Sequence, residues 1–151
     1  MKLIKVIGWD MGHRLTNHES KCQNLHGHRY RAEICLEGNI IKKDGDSKQG
    51  MVVDFGDIKE VARREIYDIL DHGCMIWSKD KLLVDFFEKN KTQKHIIVPF
   101  VTTAENIAIW IFKKLDKEIK DKYKSEVSLH SIKVWEGPTS VAICTRKDIN
   151  F

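Results

Sequence analysis

The fold follows most directly from residues 26–41, which read HGHRYRAEICLEGNII. After the opening His-Gly-His, one face would carry the apolar residues Tyr30, Ala32, Ile34 and Leu36, while the other face carries Arg29, Arg31, Glu33 and Glu37. An alternation with a period of two residues is typical of a β-strand that buries one face. Residues 28–41 are therefore predicted to form a half-buried strand that begins at the paired histidines.

The segments on either side predict the order of the remaining elements. Asp54 is expected to cap one helix, whose apolar residues recur at helical spacing from Ile58 to Leu70, and Thr103 to cap a second. Charged residues 78–94 show no regular pattern. Further strands are predicted at residues 2–13, 127–136 and 140–146. The order strand, strand, helix, helix, strand, strand predicts one α+β domain over residues 1–151, in which two helices cover one face of a four-stranded antiparallel sheet.

Composition narrows the class of protein. The chain has 151 residues, of which 42% are hydrophobic and 32% charged, as in globular proteins. Its net charge of +4 is too small and scattered to indicate a nucleic-acid partner, although it suits an anionic small substrate. The absence of a long apolar run argues against a membrane partner. Four cysteines without disulfide-framework spacing, and no signal-peptide pattern, predict free thiols and a cytoplasmic location.

Three histidines form a candidate metal site. In an extended strand His26 and His28 project from the same side, so their rings can converge on one ion. His13 ends the preceding strand, which is expected to pair with theirs. Three imidazoles with an open fourth position describe a catalytic zinc site. Spacing alone leaves open that these are ordinary surface or hydrogen-bonded histidines, and His18 is a competing third ligand.

Other residues are candidates for proton transfer and ligand binding. Cys22 lies in a polar, cationic loop near the histidines, where a thiol can be reactive, although it can equally be an ordinary loop cysteine. Asp71 and His72 end the first predicted helix and could form an acid–base pair, or the histidine could simply interact with the helix dipole. Glu136 ends an apolar strand, where it is either a solvated turn residue or an acceptor for a ligand's paired N–H groups.

The segment His13-Arg14-Leu15, together with residues 21–30, KCQNLHGHRY, resembles the signature of the 6-pyruvoyl-tetrahydropterin synthase superfamily. Four more segments are similar to that family in the same order along the chain, so the likeness spans nearly all of it. These segments are residues 51–55, 70–72, 103–106 and 134–136. Departures occur at residues 9–12, WDMG, and 73–77, GCMIW, where the family usually has other residues.

The resemblance implies a tunnelling fold, in which subunits join their sheets into a barrel as trimers or hexamers and active sites lie between subunits. It implies one Zn²⁺ ion as cofactor, bound by His13, His26 and His28. It also implies proton transfer by Cys22, Asp71 and His72. Glu136 and Thr103 would bind the pterin substrate.

Three residues separate Cys22 from the His-Gly-His sequence, a spacing similar to that of the 6-carboxytetrahydropterin synthases of queuosine and 7-deazapurine biosynthesis. The resemblance thus implies a zinc-dependent lyase that converts 7,8-dihydroneopterin triphosphate to 6-carboxytetrahydropterin, acetaldehyde and triphosphate. One alternative is a 6-pyruvoyl-forming lyase that eliminates triphosphate without carbon–carbon cleavage. Another is a non-catalytic, zinc-stabilised binding protein, which would need the histidines but not Cys22, Asp71 or His72.

Overall fold

The computed structural model describes residues 1–149, and within them six strands form a single mixed sheet. The strands are β1 (Lys2–His13), β2 (His26–Gly38), β3 (Gly73–Trp77), β4 (His95–Val98), β5 (Val127–Glu136) and β6 (Ser140–Thr145). Their order across the sheet is β4-β3-β1-β2-β5-β6. The four strands predicted from the sequence pair antiparallel, whereas β3 and β4 add two parallel pairings at the β1 edge.

The α+β class is confirmed, but the prediction of a four-stranded antiparallel sheet is wrong. The sequence gives no period-two signal for β3, because its consecutive residues Cys74, Met75 and Ile76 are all buried. β4 has only four residues, too few to establish a pattern. The predicted domain end at residue 151 lies outside the described residues.

The helices begin where their capping residues predict. α1 (Phe55–Ala62) begins after Asp54, whose side chain accepts a hydrogen bond from the Gly56 N–H group. It continues through a π-helical turn (Arg63–Tyr67) into the short α2 (Asp68–Leu70). α4 (Ala104–Tyr123) begins after Thr103, whose hydroxyl accepts from the Asn106 N–H group. None of the helices in residues 1–149 is both long and apolar enough to cross a membrane.

A further helix, α3 (Lys81–Lys89), lies in the segment that the sequence pattern left irregular. On β3, Met75 joins the main core, which also includes the buried residues of α1 and α4. Its neighbours Cys74 and Ile76 instead pack with Leu83 and Phe87 of α3 in a separate cluster. Because adjacent strand residues point to opposite faces, α3 covers the face of β3 away from the main core. The prediction that helices cover only one face is therefore wrong at this edge.

Candidate active site

Three histidines meet where β1 ends and β2 begins. In the antiparallel register His13 lies directly opposite His26, and His28 follows two residues later on the same face. One ligand atom from each residue lies within 4.8 Å of those of the other two. The ring centroids are 4.7 Å apart for His13 and His26, 5.4 Å for His13 and His28, and 4.9 Å for His26 and His28. The three imidazoles can therefore hold one metal ion between them.

The hydrogen bonds of two rings leave the appropriate nitrogen free for a metal. His13 Nδ1 lies 2.7 Å from the Thr102 carbonyl oxygen, and His26 Nδ1 lies 2.7 Å from that of Asn24. Since a carbonyl oxygen only accepts, each Nδ1 carries the proton and each Nε2 keeps its lone pair. Backbone carbonyls that orient a ring in this way are typical of metal-ligating histidines. Burial outweighs the Thr102 bond and lowers the pKa of His13, which favours the neutral form that binds metals.

The residue between the two β2 histidines is constrained by the neighbouring strand. Gly27 pairs with Gly12 across the sheet. A Cβ atom at Gly27 would lie 3.3 Å from the Met11 carbonyl oxygen, which is closer than an ordinary van der Waals contact. The glycine of the His-Gly-His sequence therefore allows β1 and β2 to approach each other beside the ligands.

Glu136 stands at the rim of the histidine cluster. It pairs with Tyr30 across β2 and β5, and the Tyr30 hydroxyl donates to Glu136 Oε1 over 3.0 Å. The same carboxylate oxygen lies 3.5 Å from His13 Nε2 and 4.0 Å from His28 Nε2. Burial and the nearby negative charge raise the pKa of Tyr30, so its hydroxyl remains a donor at neutral pH. The Tyr30 hydroxyl has a single proton, which it donates to Glu136, so the lone pair on His13 Nε2 stays available for a metal ion.

Cys22 lies in the loop between the two ligand-bearing strands, in the 3₁₀ turn Lys21–Gln23. Its backbone carbonyl accepts a hydrogen bond of 2.8 Å from the Leu15 N–H group. Its thiol lies close enough to Tyr30 to contribute to the raised pKa of that hydroxyl. Cys22 is half-buried, whereas Cys35, Cys74 and Cys144 are buried. The thiol predicted to be functional is therefore the accessible one, and it lies on the side of the sheet that carries the histidines.

Asp71 and His72 form a hydrogen-bonded pair fixed to β1. Asp71 Oδ1 accepts from the Asp10 N–H group over 3.0 Å, and Asp71 Oδ2 lies 2.7 Å from His72 Nδ1. The Asp10 N–H bond is the main reason why the pKa of Asp71 is lowered. The ionised carboxylate therefore holds the proton on His72 Nδ1 and leaves Nε2 as a base.

His72 has a backbone conformation that few residues other than glycine adopt. Its φ angle is +56°, in the left-handed region, which typically costs on the order of 1–3 kcal/mol for a residue other than glycine. The conformation is held by a 2.8 Å bond from the His72 N–H group to the Asp10 carbonyl oxygen. The ring is 79% exposed beside its partly buried carboxylate partner. Backbone strain of this kind is found preferentially at functional sites.

The structure does not bring Cys22 and His72 together within one chain. His72 borders surface pockets with Asp10 and Arg29, which pair with each other on the face of β1 and β2 opposite the histidine ligands. Within residues 1–149, no hydrogen bond joins Cys22 to Asp71 or His72. A proton-transfer unit of these three residues would therefore need two copies of the chain.

A profile of the family described as 6-pyruvoyl tetrahydropterin synthase matches residues 2–147. The chain belongs to this family. A Haemophilus influenzae protein named 6-carboxy-5,6,7,8-tetrahydropterin synthase is 37% identical over 92% of this chain and 94% of that protein. A Rickettsia bellii protein of the same name is 36% identical over 91% of this chain and 95% of that protein. The crystal structure of Plasmodium vivax 6-pyruvoyl tetrahydropterin synthase has a TM-score of 0.70 at 22% identity, covering 97% of this chain and 98% of that one, which shows the shared fold.

Two residues that contact the histidine cluster of this family member were missed by the sequence interpretation. Thr102 supplies the carbonyl that orients His13, and Tyr30 supplies the hydroxyl that orients Glu136. Tyr30 had a recognisable signal, because it follows His28 at a spacing of two and so shares its face. Thr102 had none, because a backbone carbonyl leaves no trace in the residue type. Thr103, predicted as a substrate contact, is the cap of α4 in this structure.

Proposed function

We propose that this chain is a zinc-dependent lyase that converts 7,8-dihydroneopterin triphosphate to 6-carboxy-5,6,7,8-tetrahydropterin, acetaldehyde and triphosphate. The observation that carries the proposal is the set of convergent histidine Nε2 atoms beside Glu136, in a chain whose relatives are named 6-carboxy-5,6,7,8-tetrahydropterin synthase. We assign this reaction to the biosynthesis of queuosine and related 7-deazapurines, and we place the protein in the cytoplasm.

His13, His26 and His28 would hold the zinc ion. A three-histidine set leaves a coordination position for substrate or water, as catalytic zinc sites require. When bound, zinc supplies Lewis acidity toward the oxygens of the substrate side chain. The histidine rings contribute neutral donors in fixed orientations, two of which are set by backbone carbonyls.

Glu136 would bind the pterin ring. A carboxylate accepts two parallel N–H bonds, and the 2-amino-4-oxo pyrimidine edge of a pterin offers such a pair. The Tyr30 hydroxyl fixes Oε1 of this carboxylate and places the group next to the metal site, where it would position the substrate side chain. Thr103, at the start of α4, is the second proposed substrate contact.

Cys22, Asp71 and His72 would transfer the protons. Asp71 keeps His72 in the tautomer whose Nε2 can accept a proton, and Cys22 lies on the side of the sheet that carries the metal ligands. Because His72 is exposed on the other side, we propose that it serves the site of a neighbouring subunit. On the face of the sheet away from the main core, β1 and β6 expose the apolar side chains Ile4, Val6, Val141 and Ile143. This exposed apolar surface supports association into a trimer or hexamer.

The test is identification of the products by mass spectrometry after incubation of zinc-loaded protein with 7,8-dihydroneopterin triphosphate. The proposal predicts 6-carboxytetrahydropterin, and it predicts that Cys22→Ala and His72→Ala keep stoichiometric zinc but lose on the order of 10²–10⁴-fold in turnover. A pyruvoyl product would contradict the carbon–carbon cleavage. Unchanged turnover in both variants would contradict the proton-transfer assignment, and no turnover by the zinc-loaded wild type would favour a non-catalytic binding protein.

A further inference from the structure

A buried ion pair adjoins the histidine cluster, because its arginine directly follows His13, and it has no role in the proposed chemistry. Asp80, only 2% exposed, precedes α3 and accepts two hydrogen bonds from Arg14, at 2.5 Å from Nε and 2.6 Å from the second guanidinium nitrogen. Thr16 and the Leu83 N–H group donate to the same carboxylate. Burial opposes ionisation of Asp80, but the bonds from Arg14 and Leu83 outweigh it and lower its pKa.

The guanidinium partner of this pair follows a metal ligand in the chain. Arg14 is the residue after His13, and its carbonyl oxygen accepts a 3.2 Å bond from the Thr102 hydroxyl. The carbonyl oxygen of Thr102 in turn accepts the bond from His13 Nδ1. His13, Arg14 and Thr102 therefore form a closed ring of contacts, and all of it is anchored to α3 through Asp80.

The anchor is well suited to hold a position. A two-point arginine–carboxylate pair fixes direction as well as distance, because the planar guanidinium fork matches the carboxylate. Removing one partner of a buried pair leaves the other charge uncompensated, so the two side chains resist separation. The segment that follows β3 is thus joined to the residue after His13 through the Asp80 carboxylate.

We propose that Asp80 is a positioning residue for the metal centre: through Arg14 and Thr102 it fixes the orientation of the His13 ring and so raises zinc affinity. The inference rests on the proposed zinc site and adds to it a residue on a different element. Groups that orient a ligand histidine typically contribute about 10- to 100-fold to metal affinity. Asp80 acts one step further away, so we expect the lower end of that range.

The test compares two variants with matched chemistry. Asp116, on α4, is also buried and also accepts two bonds from an arginine, Arg146, which follows β6 at the opposite edge of the sheet. Asp80→Asn and Asp116→Asn therefore remove the same charge from the same kind of pair. Zinc affinity would be measured by competition with a chromophoric chelator, and the absorption spectrum of the Co²⁺-loaded proteins would report the ligand geometry.

The inference predicts that Asp80→Asn weakens zinc binding by about tenfold and alters the Co²⁺ spectrum, whereas Asp116→Asn changes neither. Equal zinc affinity for Asp80→Asn and wild type would overturn it, and so would an equal loss in both variants, which would indicate a general effect of stability. If the wild type binds no zinc, the proposed function fails as well. If instead the wild type binds zinc and Asp80→Asn binds it equally well, only the inference about Asp80 fails.

Thr102 provides a second pair of variants, should Asp80→Asn not fold. Thr102→Val keeps the shape and the backbone carbonyl but removes the hydroxyl that holds Arg14, whereas Thr102→Ser keeps that hydroxyl and removes a methyl group. We expect weaker zinc binding in the valine variant and recovery in the serine variant. The opposite order would overturn the inference, because it would assign the effect to packing.

Discussion

Replacing Glu136 with glutamine is expected to weaken pterin binding without loss of fold or metal. Glutamine has the shape of glutamate but presents one acceptor oxygen and one NH₂ donor. The side chain is 28% exposed at the rim of the site, and Tyr30 donates to one of its oxygens. The glutamine carbonyl oxygen can keep the bond from Tyr30. The NH₂ group then replaces the other carboxylate oxygen, the one that would face the ligand.

The size of the effect follows from the bond that is lost. One ligand N–H group would meet an NH₂ group instead of a carboxylate oxygen, and hydrogen bonds to charged groups contribute about 1.5–3 kcal/mol. Since about 1.4 kcal/mol corresponds to a factor of ten, the dissociation constant of a pterin should rise by about 10- to 150-fold. Stability should change little, because the buried Tyr30 hydroxyl keeps an acceptor.

The assay is a fluorescence or calorimetric titration with a non-reacting pterin, together with metal analysis of the same samples. Glu33→Gln is the matched control, since Glu33 is a partly buried carboxylate on β2 whose partners, Arg31 and Trp135, lie on the opposite face of the sheet. An unchanged pterin affinity would show that Glu136 does not bind the pterin and is a solvated turn residue. Loss of zinc in Glu136→Gln would refute the reasoning in another way, by making the carboxylate a metal ligand.

Two further predictions concern other parts of the chain. A thiol reagent at about pH 8 should modify Cys22 rapidly and the buried cysteines only after unfolding, because burial raises the pKa of Cys74 and of Cys144 to about 11; rapid reaction of a second thiol, located by peptide mass spectrometry, would contradict this. Arg146 and Lys120 outweigh burial and lower the pKa of Asp116, so its stabilising effect is present above its ordinary pKa of 3.8 and lost as the pH falls through the folded value. The difference in unfolding free energy between wild type and Asp116→Asn should therefore be constant above about pH 5 and shrink as the pH falls from about 5 to about 2, and a constant difference over that lower range in urea titrations would contradict the assignment.

The sequence could predict the central strands and the ligand histidines because both depend on local alternation. Except at Cys35, β2 buries one face against the core and leaves the other at least partly exposed, so its period of two is visible in the residues themselves. The same alternation places His26 and His28 on one face, and strand pairing then brings His13 opposite them. The capping residues Asp54 and Thr103 are likewise local signals.

The rest could not be predicted because it depends on contacts between distant segments. β3 is buried on both faces, which removes the alternation, and its parallel pairing with β1 has no local signal. α3 does carry local signals that the sequence interpretation missed, namely its capping residue Asp80 and the buried Leu83 and Phe87 four residues apart. Its position on the other face of β3 has no such signal, because it depends on which side that strand leaves open. The contact of Asp80 with Arg14 joins residues 66 positions apart, so the local sequence around either residue does not predict it.

The coordination of the bound zinc tests the central claim most directly. X-ray absorption at the zinc edge of the wild-type protein would give the identity and distance of the ligand atoms. We predict three imidazole nitrogens, from His13, His26 and His28, at about 2.0–2.1 Å and no sulfur neighbour. A sulfur atom at about 2.3 Å, absent from the spectrum of Cys22→Ala, would contradict the claim, because it would make Cys22 a metal ligand and fill the position that the substrate oxygens require.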